Sequence, residues 1–124
     1  MVQYWRMSIG DTKLNVVFFK AGSGAEPVRK WLKSLPGAHK KAIGEDIKTV
    51  QFGWPLGMPL VEKLEPSLWE VRTKIPDGIA RVLFTVDGHV MILLHGFIKK
   101  SRKIPQKEIG TARSRLRQYQ EDGL

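Results

Sequence analysis

Leu68 to Ile98 reads LWEVRTKIPDGIARVLFTVDGHVMILLHGFI, and this stretch decides the fold. Three runs rich in apolar, β-branched and aromatic residues, Leu68–Ile75, Ile79–Val86 and His89–Ile98, are joined by Asp77–Gly78 and Asp87–Gly88. Asp-Gly favours a type I′ hairpin turn, because both central residues must take positive φ. Two such turns in succession predict an antiparallel meander. With two-residue loops, Pro76 faces Ile79, which sets Arg72 opposite Leu83 and Lys74 opposite Arg81. In the next hairpin Val86 faces His89, which sets Arg81 opposite Leu94. Side chains alternate between faces along a strand. Glu70, Arg72, Lys74 and Arg81 then share one face, with Gly96 at its far side. Trp69, Val71, Val82, Phe84, Met91, Leu93 and Phe97 share the other, the expected main core.

Working outward, Lys13–Lys20 (KLNVVFFK) has strand composition and ends in the turn-forming AGSGAEP. Pro27 suits the first turn of a short helix, EPVRKWLKSL, with Val28, Trp31, Leu32 and Leu35 at helical spacing. Pro36–Gly37 breaks it. A second helix runs to about Phe52 with Ala42, Ile43, Ile47 and Val50 on one stripe. The two helices read as a helical hairpin. Gly53 to Pro66, with Pro55, Gly57, Pro59 and Pro66, reads as loop. At the other end Pro105 opens a helix to about Gln120, with Ile109, Ala112, Leu116 and Tyr119 facing inward. The order β-α-α-β-β-β-α predicts an α+β domain: an antiparallel sheet packed, mostly on one face, by an N-terminal helical hairpin and a C-terminal helix.

The charge is not spread evenly. Residues 99–117 hold eight Lys/Arg against the single acid Glu108, in a chain whose net charge is +9. A concentrated positive field attracts polyanions and speeds their association, which points to nucleic acid. A length of 124 residues suits one domain, residues 1–124, and four Trp and five Phe argue for a packed core over a basic tail. The chain has no cysteine, which excludes disulfides and thiol catalysis. No signal-peptide-like run opens MVQYWRMSIGDTK, and no stretch nears the roughly 20 apolar residues of a membrane span, so a cytoplasmic protein without a membrane partner is expected.

Leu68-Trp69-Glu70-Val71-Arg72, Arg81-Val82-Leu83-Phe84, Leu93 to Ser101 (LLHGFIKKS), then Pro105 and a helix containing Ala112, resemble the phage-derived Gp49-like, or HigB-like, toxins of the RelE/ParE superfamily. The resemblance covers roughly residues 60 to 120; its motifs are weak singly and fairly specific in order and spacing. It implies a RelE-like fold and the toxin of a type II toxin–antitoxin system, a metal-independent endoribonuclease cutting messenger RNA on the translating ribosome. It also implies an adjacent antitoxin, a helix-turn-helix protein, that blocks the site by binding it. Neither cofactor nor metal is expected. Two alternatives stay open: a ParE-like inhibitor of DNA gyrase, and a non-catalytic nucleic-acid-binding phage regulator.

The implied chemistry suits Arg and Lys, because RNA supplies its own 2′-OH nucleophile and a guanidinium offers phosphate a bidentate fork. By resemblance Arg81 is the phosphate-stabilising arginine, and Lys99 and Lys100 are the basic pair after the last strand. Arg72 either contacts RNA or pairs with Glu70. Lys74, Arg102 and Lys103 extend the basic surface, and Phe97 either stacks on a base or belongs to the core. Glu70 is a general base if its pKa is raised, and otherwise a structural carboxylate. Relatives often place Thr before the helix-opening proline, where this chain has Ile104, and some place Tyr or His after the last strand, where Lys99–Lys103 has neither. The general base is thus unassigned. Of the histidines, His39 and His89 read as surface residues, and His95, by parity on the core face, as a hydrogen-bonded structural residue ahead of a catalytic one. Three scattered histidines do not suggest a metal site, and Gly22-Ser23-Gly24 is a turn without the GK[ST] of a phosphate loop. The charge on the last helix reads either as part of the nucleic-acid face or as a solvated surface.

Overall fold

The computed structural model describes residues 13–122; the N-terminal stretch read for a leader lies almost wholly outside them. The elements are β1 (Asn15–Phe18), α1 (Pro27–Lys33), α2 (Gly37–Gly53), β2 (Val61–Glu65), β3 (Leu68–Ile75), β4 (Gly78–Asp87), β5 (Val90–Lys99) and α3 (Gln106–Glu121). They form an α+β domain with three helices and one five-stranded sheet, ordered β1-β5-β4-β3-β2.

Several expectations need correction. The sheet is mixed, because β1 runs parallel to β5 with Asn15 beside Val90 and Phe18 beside Leu93; nothing in a short edge strand's composition states its direction. The expected order lacks a strand, since β2, inside the stretch read as loop, pairs antiparallel with β3. Its VEKLE sequence is charged, as edge strands often are, and the Pro66–Ser67 turn uses Ser67 at φ 65°, where a glycine would have signalled a hairpin. The helices are not a hairpin at the N-terminus. The described chain starts with β1; α1 then packs mainly on β5, and α2 on β3.

Nor do the helices share a face. Val28 of α1 and Ile43, Ile47 and Val50 of α2 pack with Val71, Val82, Phe84, Met91 and Leu93 on one side of the sheet. Ala112 and Leu116 of α3 pack with Leu68, Leu83, Ile92 and Leu94 on the other. Trp54, just past α2, fixes that helix by edge contacts with Trp69 (5.1 Å between centroids) and Phe84 (5.6 Å). Among the described residues no helix is long and apolar enough to cross a membrane.

The meander forms, in a different register. Ile75 pairs with Gly78, so Pro76 and Asp77 are the loop and Gly78 follows it at φ 152°. Asp87 pairs with Val90, which puts Gly88 (φ 61°) and His89 in the second loop. Arg72 therefore faces Arg81, and Lys74 faces Ile79. A slip of two residues preserves the face, so Glu70, Arg72, Lys74 and Arg81 stay together as expected. The β4–β5 pair differs more. Phe84 pairs with Leu93 but Leu83 with His95, which leaves Leu94 as the extra residue of a β-bulge. One extra residue reverses parity beyond it. Gly96 consequently faces Trp31 on the α1/α2 side, while His95 and Phe97 turn to the Arg81 side, the reverse of the expected assignment.

Gly96 is required by contact. A Cβ added there would overlap Trp31 Cε3, so the indole sits directly on the glycine backbone. Gly96→Ala is expected to lower stability by about 1–3 kcal/mol through overpacking, read as a fall in urea midpoint at constant m-value. An unchanged midpoint would show that Trp31 is not seated there.

Candidate nucleic-acid interface

On the α3 side of the sheet, register places side chains in rows. Lys74, Ile79 and Lys99 form the row nearest the open end; Arg72, Arg81 and Phe97 form the next; Glu62, Glu70, Leu83 and His95 form the third. A cationic row thus backs onto an acidic one.

Arg81 is the most buried cation of the set, with no exposed surface. Its Nη1 donates to Glu70 Oε2 at 2.8 Å, and its Nη2 donates to the Ser101 carbonyl at 2.6 Å. Arg81 Nε and Glu70 Oε1 have no hydrogen-bond partner. Burial pushes the Glu70 carboxyl above its ordinary pKa, although Arg81 and Arg72 pull it down. Arg72 lies between two acids, with Nε 3.7 Å from Glu70 Oε1 and Nη1 3.7 Å from Glu62 Oε1. Glu70 is therefore a buried structural carboxylate, and of the two alternatives for Arg72 the pairing with Glu70 is present in the structure. The bond to Ser101 fixes the start of the loop that carries Arg102 and Lys103.

A groove of about 820 Å³ opens beside this network. It is lined by Arg72 and Lys74 of β3, Ile79 of β4, Arg102 of the loop, Asp46 of α2, Glu62 of β2 and the Met58–Leu60 segment. Of the residues singled out in the sequence, Arg72, Lys74 and Arg102 meet here. Lys99, Lys100 and Lys103 are exposed around the same end of the sheet but do not line the groove. Phe97 is buried in the second core and stacks on His95 at 5.5 Å, which matches the core alternative.

Asp46, Glu62 and the groove's Met58, with 59% of its surface exposed, were not singled out in the sequence. Only the exposed methionine is unusual by type. Asp46 sits at the margin of the apolar stripe of α2, between Ile43 and Val50 in helical spacing, and Glu62 sits in the strand that went unread.

The basic last helix divides its charges. Arg113 forms a bidentate pair with Glu65 (2.9 and 2.8 Å), tying α3 to β2 and holding the Glu65 carboxyl below its usual pKa. Arg115 Nη1 donates to the carbonyl of the bulged Leu94 at 2.8 Å and to His95 Nδ1 at 3.3 Å. Because a guanidinium only donates, Nδ1 is the acceptor and Nε2–H donates to Glu108 Oε1 at 2.6 Å. His95 is thus the hydrogen-bonded structural histidine expected, on the opposite face and at the β5–α3 seam. Among the described residues no group of three or more His, Asp or Glu is arranged to hold a metal ion.

Fold and groove together define a small α+β domain with helices on both faces of the sheet and a cation-lined cleft at one sheet edge. The family model of the phage-derived protein Gp49-like (DUF891) matches residues 30–117, from α1 into α3, and the chain belongs to that family. No curated protein matches the chain.

Removing one partner of a buried ion pair leaves the other uncompensated. Arg81→Ala is therefore expected to destabilise by about 3–5 kcal/mol, whereas Glu70→Leu with Arg81→Met recovers most of that loss. Urea unfolding of the two variants measures both. Equal losses in the two would show that the ion pair is not the source of the effect.

Proposed function

We propose that this chain is the toxin of a type II toxin–antitoxin system, a metal-independent endoribonuclease that cuts messenger RNA on the translating ribosome in the cytoplasm. Membership of a phage-derived family and the earlier resemblance to HigB-like members of the RelE/ParE superfamily support the class. The observation that carries the reading is the groove of about 820 Å³, where Arg72, Lys74 and Arg102 converge with the carboxylates of Asp46 and Glu62.

The roles follow from position. Lys74 and Arg102 reach the groove without an ion-pair partner among the described residues, so their charge is available to a scissile phosphate. There they stabilise the extra negative charge of the pentavalent transition state. Arg72, steadied by Glu62 and Glu70, presents the rest of its guanidinium to the same cleft. Lys99, Lys100 and Lys103 hold flanking phosphates. Arg81 acts through the Ser101 carbonyl, keeping the Arg102 loop against the groove. RNA supplies the 2′-OH, so the protein's work is to orient, neutralise charge and move protons. The ribosome and message are the partners at this surface, and a helix-turn-helix antitoxin is the partner that covers it.

Inducing the chain in bacteria beside a Lys74→Ala/Arg102→Ala variant, with 5′ ends of messages mapped by primer extension, tests the reading. The wild type is expected to arrest growth and give new in-frame cuts within translated regions. The variant is expected to lose both while its stability changes by no more than about 0.5 kcal/mol, as for surface substitutions generally. Arrest without cuts would overturn the nuclease in favour of a protein target such as gyrase. Tight duplex binding with neither arrest nor cuts would mark a non-catalytic regulator.

A further inference from the structure

We infer that Asp46 is the general base of this groove, the group that takes the proton from the attacking 2′-OH; the inference rests on the ribonuclease reading above. β2 begins at Val61 opposite Val71, and just before it the Arg72 N–H donates to the Leu60 carbonyl at 2.9 Å. Beyond that bond Lys74 has no β2 partner, so the end of β3 presents an open edge. The groove occupies this gap. Arg72, Lys74 and Ile79 rise from the α3 side of the sheet, and Arg102 joins them from the loop. Asp46 enters from α2, which packs on the opposite side of β3. Carboxylate and cations therefore reach one cleft from the two sides of a sheet edge.

In-line displacement at phosphorus needs that separation, with a base at the attacking oxygen and a proton donor at the leaving oxygen. The other carboxylates nearby are committed. Glu62 lies 3.7 Å from the Arg72 guanidinium, and Glu70 is buried against Arg81. Asp46 is half-buried, and its side chain makes no hydrogen bond or ion pair with another described residue. In the step, the 2′-O–H proton passes to an Asp46 Oδ while the 2′-oxygen bonds to phosphorus. The P–O5′ bond breaks, and the departing 5′-oxygen takes a proton from Lys74 Nζ. The products are a 2′,3′-cyclic phosphate and a 5′-OH end. Asp46 then releases its proton to water and Lys74 regains one.

The test follows cutting of a ribosome-bound message by the purified full chain in single turnover. It compares the wild type with Asp46→Asn, Asp46→Glu and, as a control on the same helix, Glu45→Gln. Asp46→Asn is expected to slow cutting roughly 10²–10⁴-fold at the same sites. RNA binding and melting should stay unchanged. Asp46→Glu should restore cutting in part, and Glu45→Gln should cut as the wild type does. Asp46→Asn cutting at the wild-type rate would overturn the inference and leave the ribonuclease reading standing. Fast cutting at new bases would also overturn it, by making Asp46 a reader of base identity. A wild-type chain that makes no cuts overturns both readings at once.

Discussion

A guanidinium with no exposed surface, that of Arg81, joins the Glu70 carboxylate in the middle of the sheet to the Ser101 carbonyl in the loop after it. Taking both charges out of water is unfavourable, and their attraction offsets this only while the geometry holds. The pair therefore contributes little net stability over an apolar equivalent, but it makes departure from the geometry expensive. That constraint ties β4 to β3 and to the β5–α3 connection, the two segments that deliver cations to the groove. Burial raises the Glu70 pKa, and Arg81, with Arg72 on the far side, pulls it back down. The acid row of the sheet is in this sense the foundation of the basic one.

Much of the fold was legible because its signals are local. The three strands of the meander and the helix after Pro105 follow from alternation, turn chemistry and helical spacing. The face shared by Glu70, Arg72, Lys74 and Arg81 survived a register error because the slip was an even number of residues. The bulge at Leu94 left no such mark. Nothing in LLHGF distinguishes a regular strand from one with an extra residue, yet that residue carries His95 and Phe97 across the sheet and puts Gly96 under Trp31. The cause becomes visible only in three dimensions, where the bulge frees the Leu94 carbonyl to accept from Arg115. β2 was lost for a related reason: a charged edge strand between prolines has the composition of a loop, and only its pairing with β3 defines it.

The site was half legible. Arg72, Lys74 and Arg102 belong to it because sequence neighbours in a hairpin and the loop beyond it are spatial neighbours too. Asp46 and Glu62 escaped because their place depends on contacts across tens of residues, α2 laid over β3 and β2 added at its edge. A carboxylate at the margin of an amphipathic helix's apolar stripe has no functional signature until it is known what that margin faces.

The positive charge itself divides by residue type. Among the described residues, every ion pair with a carboxylate takes its cation from an arginine, and none from a lysine. Arginine's planar fork suits fixed partners, and here it fastens β3 to β2, the sheet interior to the loop, and α3 to both the bulge and β2. Lysine's hydrated ammonium on a flexible stem suits a mobile polyanion. Lys74, Lys99, Lys100 and Lys103 are exposed around the open end of the sheet, where β2 stops short and α3 has not yet begun. The net charge of +9 therefore understates the contrast between the two populations. Acids neutralise much of the arginine charge inside the framework, whereas Lys74, Lys99, Lys100 and Lys103, with Arg102, form an uncompensated group at the end of the sheet where the groove lies.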